Sequence, residues 1–206
     1  MIAIIDYDMG NLRSVQKAFE AVGHKAVVTR NRQAIADASH VVLPGVGAFG
    51  DCMRNLQTYE LVEPITQSIK TGKPFLGICL GLQLLFTEST EFGSHRGLGI
   101  IPGKVVRFSL PPETSQTMKI PHMGWNAIIK RKPSFMLDGV PDGSYMYFVH
   151  SYYVVPDDPD VMCTSTDYAG SFASSVVRDN IFGCQFHPEK SQAEGLRLFR
   201  NFGAMS

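Results

Sequence analysis

The stretch Phe75–Gly81 reads FLGICLG and places a cysteine, Cys79, directly after a short apolar run. This order is typical of a strand-to-helix nucleophile turn, in which flanking glycines permit a strained central residue. The segment Leu82–Phe86, which is apolar except for Gln83, follows, and we expect a helix to begin there. The start of a helix favours a thiolate, and the Leu80 N–H could donate to an oxyanion. The stretch therefore predicts a cysteine nucleophile, although a buried structural cysteine between closely packed glycines would leave the same pattern.

Strand-like runs alternate with helical segments before this turn. The strand-like runs are Met1–Ile5, Ala26–Thr29 and His40–Leu43. Apolar residues recur at helical spacing over Leu12–Val22, with Asn11 as the predicted N-cap and Gly23 as the predicted stop. Gln33–Ala38 suits a helical turn or two. The alternation predicts an α/β fold with an open, mostly parallel, twisted sheet, helices on both faces, and an active site at the carboxyl ends of the strands.

The second half of the chain has a different sequence pattern. Strand-like runs divided by Pro, Gly and Asp turns are Lys104–Phe108, Trp125–Ile129, Tyr145–Val149, Tyr152–Val155, Ser174–Val177 and Ile181–Phe186. These runs predict additional antiparallel strands in the C-terminal half, followed by an amphipathic helix over Gln192–Phe202. Pro111–Thr117 is the best candidate for a mobile surface loop, but it is too short to separate domains. We therefore expect one domain over residues 1–206.

Composition excludes several classes of function. The 206 residues are 44% hydrophobic, which is ample for one core, and 19 basic residues balance 19 acidic ones. Without net charge, binding to nucleic acid or to an anionic membrane surface is not expected. No run approaches the roughly 18 apolar residues of a membrane span, and Met1–Ile5 is too short for a signal peptide, so we expect a cytoplasmic protein. The four cysteines lack zinc-site spacing and are predicted to be thiols, with no metal bound.

A partner base for the cysteine is predicted at His187. This histidine directly follows the apolar run Ile181–Phe186, so it should lie at the same sheet edge as Cys79. Pro188 fixes the turn, and the carboxylate of Glu189 could orient the imidazole ring. An exposed or structurally satisfied histidine is the alternative for any single histidine.

A glycine-rich loop, Pro44–Gly50, follows the third strand-like run. Its three glycines would allow the backbone to approach a ligand closely and present N–H groups. A phosphate cradle is disfavoured because the Gly-Lys-Ser or Gly-Lys-Thr ending of a P-loop is absent. Donors to a developing oxyanion are the preferred interpretation, and an ordinary turn is the alternative.

Three segments together resemble the signature segments of class I, triad-type glutamine amidotransferases. They are Pro44–Gly47, Gly77–Gln83 and Gln185–Glu189. Two further stretches, Asp6–Ser14 and Pro121–Asn126, are similar to the branch of this family that serves histidine biosynthesis. The resemblance covers essentially the whole chain and implies the flavodoxin-like sheet of that family.

The resemblance implies roles for individual residues. Cys79 would attack the carboxamide of L-glutamine, His187 would shuttle protons, and Glu189 would orient the histidine. The residues implied as oxyanion donors are Gly45, Val46, Gly47 and Leu80. The residues implied in substrate binding are Gln83, Glu91, His150, Ser151 and Tyr152. No cofactor or metal is implied.

The resemblance also implies a partner. In this branch of the family a (β/α)8-barrel cyclase subunit receives the ammonia through a protected channel, as one half of a heterodimer. Trp125, with His122 and Met123, is the candidate interface anchor, and a core tryptophan is the alternative. Further residues predicted for the same face are Asn11, Arg13 and Lys190. Asp8 departs from the pattern, since this branch more often has glycine there.

Three competing functions remain open on sequence alone. The chain could be an amidotransferase subunit for anthranilate, purine or pyridoxal phosphate synthesis, although the segments around Asn11 and Trp125 argue against that. It could be a noncatalytic binding module, but such a module is expected to lose a triad member. It could also be a cysteine hydrolase acting on peptides, because fold alone does not determine substrate.

Overall fold

The first half of the chain alternates strands with helices, as predicted. In the computed structural model, which describes residues 1–110 and 118–205, the predicted loop Pro111–Thr117 lies outside the described residues. The elements up to the cysteine turn are β1 (Ile2–Ile5), α1 (Leu12–Ala21), β2 (Ala26–Thr29), α2 (Arg32–Asp37), β3 (His40–Gly45), α3 (Phe49–Thr58), α4 (Val62–Lys70), β4 (Phe75–Cys79) and α5 (Leu80–Gln83).

The second half consists mainly of strands. They are β5 (Phe86–Ser89), β6 (His95–Arg96), β7 (Ile101–Arg107), β8 (His122–Ala127), β9 (Ile129–Lys130), β10 (Tyr145–His150), β11 (Tyr152–Pro156), β12 (Met162–Asp167), β13 (Ser171–Arg178) and β14 (Ile181–Cys184). The C-terminal helix α6 spans Gln192–Gly203, and short 3₁₀ turns occupy Phe135–Leu137, Pro159–Val161 and Pro188–Lys190.

An eight-stranded sheet forms the centre of the fold. Its order is β2-β1-β3-β4-β14-β13-β12-β9. Strands β2, β1, β3, β4 and β14 pair in parallel, whereas β13, β12 and β9 extend the sheet in antiparallel pairings. Because β14 lies directly beside β4, the residues that follow these two strands meet at one edge of the sheet. The prediction of a mostly parallel sheet with antiparallel additions is confirmed.

Both faces of this sheet are covered, since alternate residues of each strand point to opposite faces. Ala3 and Ile5 belong to a buried cluster that includes residues of α2, α3 and α4. Ile2 and Ile4 belong to a second cluster with residues of α1 and α6, in which the Phe19 and Phe199 rings lie 4.7 Å apart. No helix within the described ranges is long and apolar enough to cross a membrane.

Two smaller sheets lie outside the main one. One has the order β11-β7-β5-β6, and the other is the antiparallel pair β8 and β10. The predicted run Trp125–Ile129 is therefore divided: its first residues belong to β8, whereas Ile129 begins β9 in the main sheet. The prediction of additional strands is confirmed, but several of them form separate sheets.

The helix after the cysteine turn is shorter than predicted. A helix does follow Cys79, so the strand-to-helix turn is confirmed, but α5 ends at Gln83 and β5 begins at Phe86, so the helix does not extend over Leu82–Phe86. Leu82, Leu84, Leu85 and Phe86 are all buried. This short run, which is apolar except for Gln83, fits a buried strand and a buried helix equally well, so its periodicity could not separate the two.

Candidate active site

Cys79 lies at the junction of β4 and α5 in a strained conformation. Its φ is 54° and its ψ is −112°, a region that residues with a side chain rarely occupy. Close packing on both sides excludes side chains at the flanking glycines: a Cβ at Gly77 would lie 2.9 Å from the Gly81 oxygen, and one at Gly81 would overlap the Leu43 carbonyl. The two glycines thus allow the sharp turn that the FLGICLG pattern predicted. Since α5 is only one turn long, its dipole favours a thiolate less than a full helix would.

His187 and Glu189 meet at the end of β14. The Nδ1 atom of His187 lies 2.8 Å from Oε1 of Glu189, and both side chains are almost completely buried. The main chain of His187 is held at both ends, since its N–H donates to the Tyr147 carbonyl at 2.8 Å and its carbonyl accepts from the Ser191 hydroxyl at 2.7 Å. The ring is therefore fixed in one orientation.

The second ring nitrogen of His187 faces the site of the cysteine. Nε2 is buried and has no hydrogen-bond partner among the described residues, and His187 lines the same cavity as Cys79. Burial lowers the pKa of His187, but the neighbouring Cys79 sulfur and the Glu189 carboxylate outweigh it and raise that pKa to about 10. The imidazolium is thus favoured between two acidic groups.

Asn11 also contacts the Glu189 carboxylate. Its Nδ2 donates to Glu189 Oε1 at 3.5 Å, and its Oδ1 accepts from the Ser14 hydroxyl at 2.9 Å. Asn11 occupies the N-cap position of α1, but its side chain makes no capping bond, so the predicted capping role is wrong in that respect. The Asn11 side chain instead connects the N-terminal loop to the Glu189 carboxylate. The helix-start pattern in the sequence did not indicate this contact.

A cavity of about 330 Å³ opens over Cys79. Its lining contains these predicted site residues: Val46, Gly47, Cys79, Leu80, Gln83, Glu91, His150, Ser151, Tyr152 and His187. A larger cavity of about 420 Å³ between α2 and α4 contains none of them and is lined by exposed residues such as Arg32 and Glu63. Residues 1–110 and 118–205 contain no group of three or more His, Cys, Asp or Glu side chains placed to hold a metal ion.

Gly45 lies behind the cavity rather than in its lining. A Cβ at this position would be 2.6 Å from the Tyr7 hydroxyl and 2.9 Å from the Gly81 nitrogen. The residue is therefore packed between the end of β1 and the cysteine turn. Val46 and Gly47, which do line the cavity, follow it directly. Gly47 has a φ of 97°, which residues with a Cβ adopt only under strain.

Gln185 is a buried polar residue at the start of the Gln185–Glu189 motif. The sequence alone did not indicate a role for it. Its amide nitrogen lies 3.7 Å from the Cys79 sulfur, and its oxygen accepts from Gln83 Nε2 at 3.0 Å. Gln83 also donates to the Tyr152 carbonyl at 3.0 Å. These bonds fix the floor of the cavity. No sequence signal indicated these contacts, because Gln83, Tyr152 and Gln185 come from distant segments of the chain.

Glu91 lies near the N-terminus of α3 and lines the cavity. Its Oε2 atom accepts a hydrogen bond of 2.6 Å from the backbone N–H of Phe49. The carboxylate is therefore held through Oε2, and Oε1 has no hydrogen-bond partner among residues 1–110 and 118–205. The position fits a cation bound in the cavity.

His150 and His122 form a buried hydrogen-bonded pair. His150 Nδ1 lies 2.8 Å from the Tyr152 carbonyl, so it is a donor, and His150 Nε2 must then accept from His122 Nδ1 at 3.0 Å. Burial lowers the pKa of His150 to about 3 and that of His122 to about 4. Both rings are therefore neutral, with the proton on Nδ1.

His122 was predicted to lie at an interface with Met123 and Trp125, but its side chain is buried within this chain. Its side chain is 3% exposed and stacks on Tyr168 with ring centroids 4.0 Å apart. The neighbouring residues of β8 alternate in direction, so Met123 and Trp125 point outward and are 63% and 44% exposed. The alternative of a core tryptophan is thereby excluded. Arg13 and Lys190 are exposed as well.

Asp8 lies in a network at the end of β1. Its backbone has a φ of 63°, which explains why glycine suits this position. Its carboxylate accepts hydrogen bonds from the Tyr59 hydroxyl and from Arg30 at 2.5 Å, and the Arg30 guanidinium lies 4.3 Å from the centre of the Tyr59 ring. These contacts lower the pKa of Asp8. They tie the N-terminal loop to β2 and α3.

Known proteins resemble this chain over its full length. The family model described as Glutamine amidotransferase class-I matches residues 3–205. Two curated relatives are named imidazole glycerol phosphate synthase subunit HisH. The relative from Syntrophotalea carbinolica is 57% identical over 206 residues, covering 100% of both chains. The relative from Geobacter sulfurreducens is 55% identical, covering 99% of this chain and 98% of the relative.

Solved structures share the fold at low sequence identity. The structure of PurLQS from Thermotoga maritima has a TM-score of 0.74 at 19% identity and covers 98% of this chain and 96% of that one. A crystal structure of a glutamine amidotransferase has a TM-score of 0.71 at 16% identity, with 98% and 97% covered. Since the family model spans nearly the whole chain and the curated relatives exceed half identity, this protein belongs to the class I glutamine amidotransferase family.

Proposed function

We propose that this chain is the glutaminase subunit of imidazole glycerol phosphate synthase, which hydrolyses L-glutamine to L-glutamate and ammonia for histidine biosynthesis. The single observation that carries the proposal is the convergence of Cys79, His187 and Glu189 at one sheet edge, beside a cavity of about 330 Å³. The full-length similarity to relatives named as that subunit supports the choice of pathway. As a biosynthetic subunit, the protein would act in the cytoplasm. The single domain expected over residues 1–206 stays a prediction.

The proposed reaction begins at the sulfur of Cys79. The thiolate attacks the carboxamide carbon of glutamine, and the carbonyl electron pair moves onto the oxygen to give a tetrahedral oxyanion. The oxyanion collapses as the C–N bond breaks, and the His187 imidazolium protonates the leaving nitrogen, which departs as ammonia. A glutamyl thioester and a neutral imidazole remain.

Water completes the cycle. His187 Nε2 removes a proton from a water molecule, which adds to the thioester carbon, and collapse of the second oxyanion breaks the C–S bond and releases glutamate. The bond between His187 Nδ1 and Glu189 keeps Nε2 directed at the reacting atoms throughout. Asn11 would support the carboxylate in that role.

Substrate and oxyanion contacts follow from the lining of the cavity. We assign the Leu80 N–H and the segment Gly45–Gly47 to the oxyanion, because Val46, Gly47 and Leu80 line the same cavity as Cys79 and Gly45 pairs with Cys79 at the end of β3. Glu91 would bind the ammonium group of glutamine, since it is an acidic residue in the lining of the cavity and its carboxylate is held in place by the Phe49 N–H. Gln83 and the main chain of His150–Tyr152 would hold the rest of the substrate.

The proposed partner is a (β/α)8-barrel cyclase subunit. Ammonia released into water would be protonated and lost as a nucleophile, so transfer through a sealed interface has a clear physical purpose. Met123 and Trp125 provide exposed apolar area for such an interface, and Lys190 lies 5.5 Å from the centre of the nearby Tyr147 ring. Asn11 and Arg13 are assigned to the same face as weaker contributors.

Substitution of Cys79 tests the chemistry. Cys79→Ala should abolish glutamate release from glutamine, while synthesis by the complete complex with added ammonia should continue at the wild-type rate. The two readouts separate loss of the nucleophile from loss of folding or assembly. Glutamate release by the variant would refute the role of Cys79. If the wild type hydrolysed peptides or asparagine as fast as glutamine, the assignment of glutamine as the substrate would be refuted.

Partner gating is a separate part of the proposal. The glycines around Val46 allow a peptide plane to turn, so we infer that the oxyanion site is incomplete until the cyclase binds its nucleotide ligand. Glutamate release should be low for the isolated chain and should rise strongly only with cyclase and ligand present. Full activity without the partner would overturn the gating while leaving the triad in place.

A further inference from the structure

The segment Pro44–Gly47 is held from behind by two buried side chains. The Tyr7 hydroxyl donates a hydrogen bond of 2.7 Å to the Pro44 carbonyl. The Cys52 thiol, on α3, donates to the Val46 carbonyl with a sulfur–oxygen distance of 3.6 Å. Both side chains are completely buried, and neither lines the cavity over Cys79. They therefore act on the main chain of this segment and do not touch the substrate site.

Both groups remain protonated and are able to donate. Burial raises the pKa of Tyr7 well above its ordinary value, and burial raises the pKa of Cys52 to about 12. A buried carbonyl that loses such a donor carries an uncompensated desolvation cost. The two carbonyls are thus anchored in the interior.

The geometry of the backbone shows what these anchors restrain. A peptide group is planar, so fixing its carbonyl oxygen fixes its N–H in the opposite direction. Tyr7 holds the Pro44–Gly45 peptide, and Cys52 holds the Val46–Gly47 peptide. The Gly45–Val46 peptide lies between them. It can turn by opposite rotations about ψ of Gly45 and φ of Val46 without moving either neighbouring peptide group, and Gly45 has no side chain to oppose that rotation. Gly45 is the last residue of β3 and pairs with Cys79, so the rotation breaks only the final pairing between β3 and β4.

We propose that Tyr7 and Cys52 are positioning residues that hold the two outer peptide groups of this segment, so that only the Gly45–Val46 peptide reorients when the oxyanion site forms. The proposal rests on the proposed glutaminase function. Tight packing at Gly45 agrees with it, because the Tyr7 hydroxyl would be 2.6 Å from a Cβ there.

Single-atom changes test the two anchors in the complete complex with cyclase and its nucleotide ligand. Tyr7→Phe and Cys52→Ala each remove one donor, and Cys52→Ser retains one. Cys163→Ala is the matched control, because Cys163 is also a fully buried thiol but lies on β12. We expect Tyr7→Phe and Cys52→Ala to lower kcat for glutamine on the order of 10- to 100-fold with KM nearly unchanged. Cys52→Ser should retain more activity than Cys52→Ala, and Cys163→Ala should match the wild type.

Alkylation of Cys79 by iodoacetamide distinguishes a positioning defect from a general structural defect, because a general defect would also change the alkylation rate. Alkylation needs a reactive thiolate but no oxyanion donor, so its rate at Cys79, followed by peptide mass spectrometry, should stay within about twofold of wild type in every variant. A parallel loss of alkylation and turnover would overturn the proposal, as would unchanged kcat in Tyr7→Phe and Cys52→Ala. If the wild-type complex released no more glutamate than Cys79→Ala, the proposed function itself would fail, and this inference with it.

Discussion

The charge state of His187 results from opposing effects at a single residue. Burial disfavours the imidazolium, whereas Cys79 and Glu189 favour it strongly enough to raise the pKa of His187 from 6.5 to about 10. A pKa that is raised in the folded state stabilises the fold when the group is protonated in both states. The contribution of His187 to the free energy of unfolding is therefore fully present below pH 6.5 and is lost as the pH rises through about 10.

Glu189→Gln should weaken this dependence. Without the carboxylate, the pKa of His187 falls, so the free energy of unfolding should decline less steeply between pH 6.5 and about 10 than in the wild type. Glutamine hydrolysis should fall by roughly 10²- to 10⁴-fold, because the ring loses its charged orienting partner. Urea unfolding at a series of pH values measures the slope, with Glu20→Gln, an exposed change on α1, as the control. Equal slopes in wild type and Glu189→Gln would contradict the expected effect.

Residue-scale prediction from sequence succeeded where partners are close along the chain. His187 and Glu189 lie on one proline-fixed turn, so their contact followed from spacing. The surroundings of His122 could not be predicted in this way, because its ring is buried by Phe148 from β10 and by Tyr168 from the turn after β12. For the same reason the partners of Asp8 were not visible from the sequence.

The close approach of β3, β4 and α5 at the cysteine turn leads to a prediction at the level of elements. A Cβ at Gly81 would overlap the Leu43 carbonyl of β3, so Gly81→Ala must push the turn away from the sheet. We expect a loss of about 3 kcal/mol in the free energy of unfolding and a large loss of glutaminase activity. Chemical denaturation and glutamate release measure both.

Gly143→Ala is the matched control for this change. Gly143 has a φ of 75° but nothing within 4 Å of a Cβ, so the substitution introduces only backbone strain. That strain costs about 1–2 kcal/mol, and glutamate release should be unaffected. A smaller loss of stability in Gly81→Ala than in Gly143→Ala would show that the turn can relax and that close packing is not its constraint.

Strand β12 shows why some elements could not be predicted. Met162–Asp167 reads MCTSTD, without apolar alternation, yet Thr164 and its neighbours are buried. The Thr164 hydroxyl is satisfied by the Ser174 and Ser175 hydroxyls at 2.8 Å and 2.7 Å, so a polar strand is tolerated in the interior. Strands β1 to β4, in contrast, are short runs dominated by β-branched and other apolar residues and were recognised directly.

Strand order at the scale of the whole molecule assembles the site. Strand β14 inserts between β4 and β13, which brings His187 beside Cys79 although 108 positions separate them in the numbering. The sequence predicted that both residues end strands at one sheet edge, but it could not predict that these two strands are neighbours. That information resides in long-range packing, and the resemblance to a known family supplied it.

The outward face of the β8 and β10 pair carries the last prediction. Its inner face is buried through Phe148 and His122, whereas Met123, Trp125 and Tyr145 remain exposed on the outer face. A large aromatic surrounded by apolar residues is the usual type of interface hot spot. Trp125→Ala should therefore raise the Kd for the cyclase subunit at least roughly 10-fold, equivalent to about 1.4 kcal/mol.

A titration of cyclase against the variant distinguishes binding from chemistry. Glutaminase activity should be lost at low cyclase concentration and restored at saturation, because Trp125 lies outside the cavity over Cys79. Phe135→Ala removes another exposed aromatic, 50% accessible on a 3₁₀ turn outside the β8 and β10 pair, and should leave the Kd unchanged. If both variants bound like the wild type, the partner would have to use a different face, and the assignment of Trp125 to the interface would be wrong.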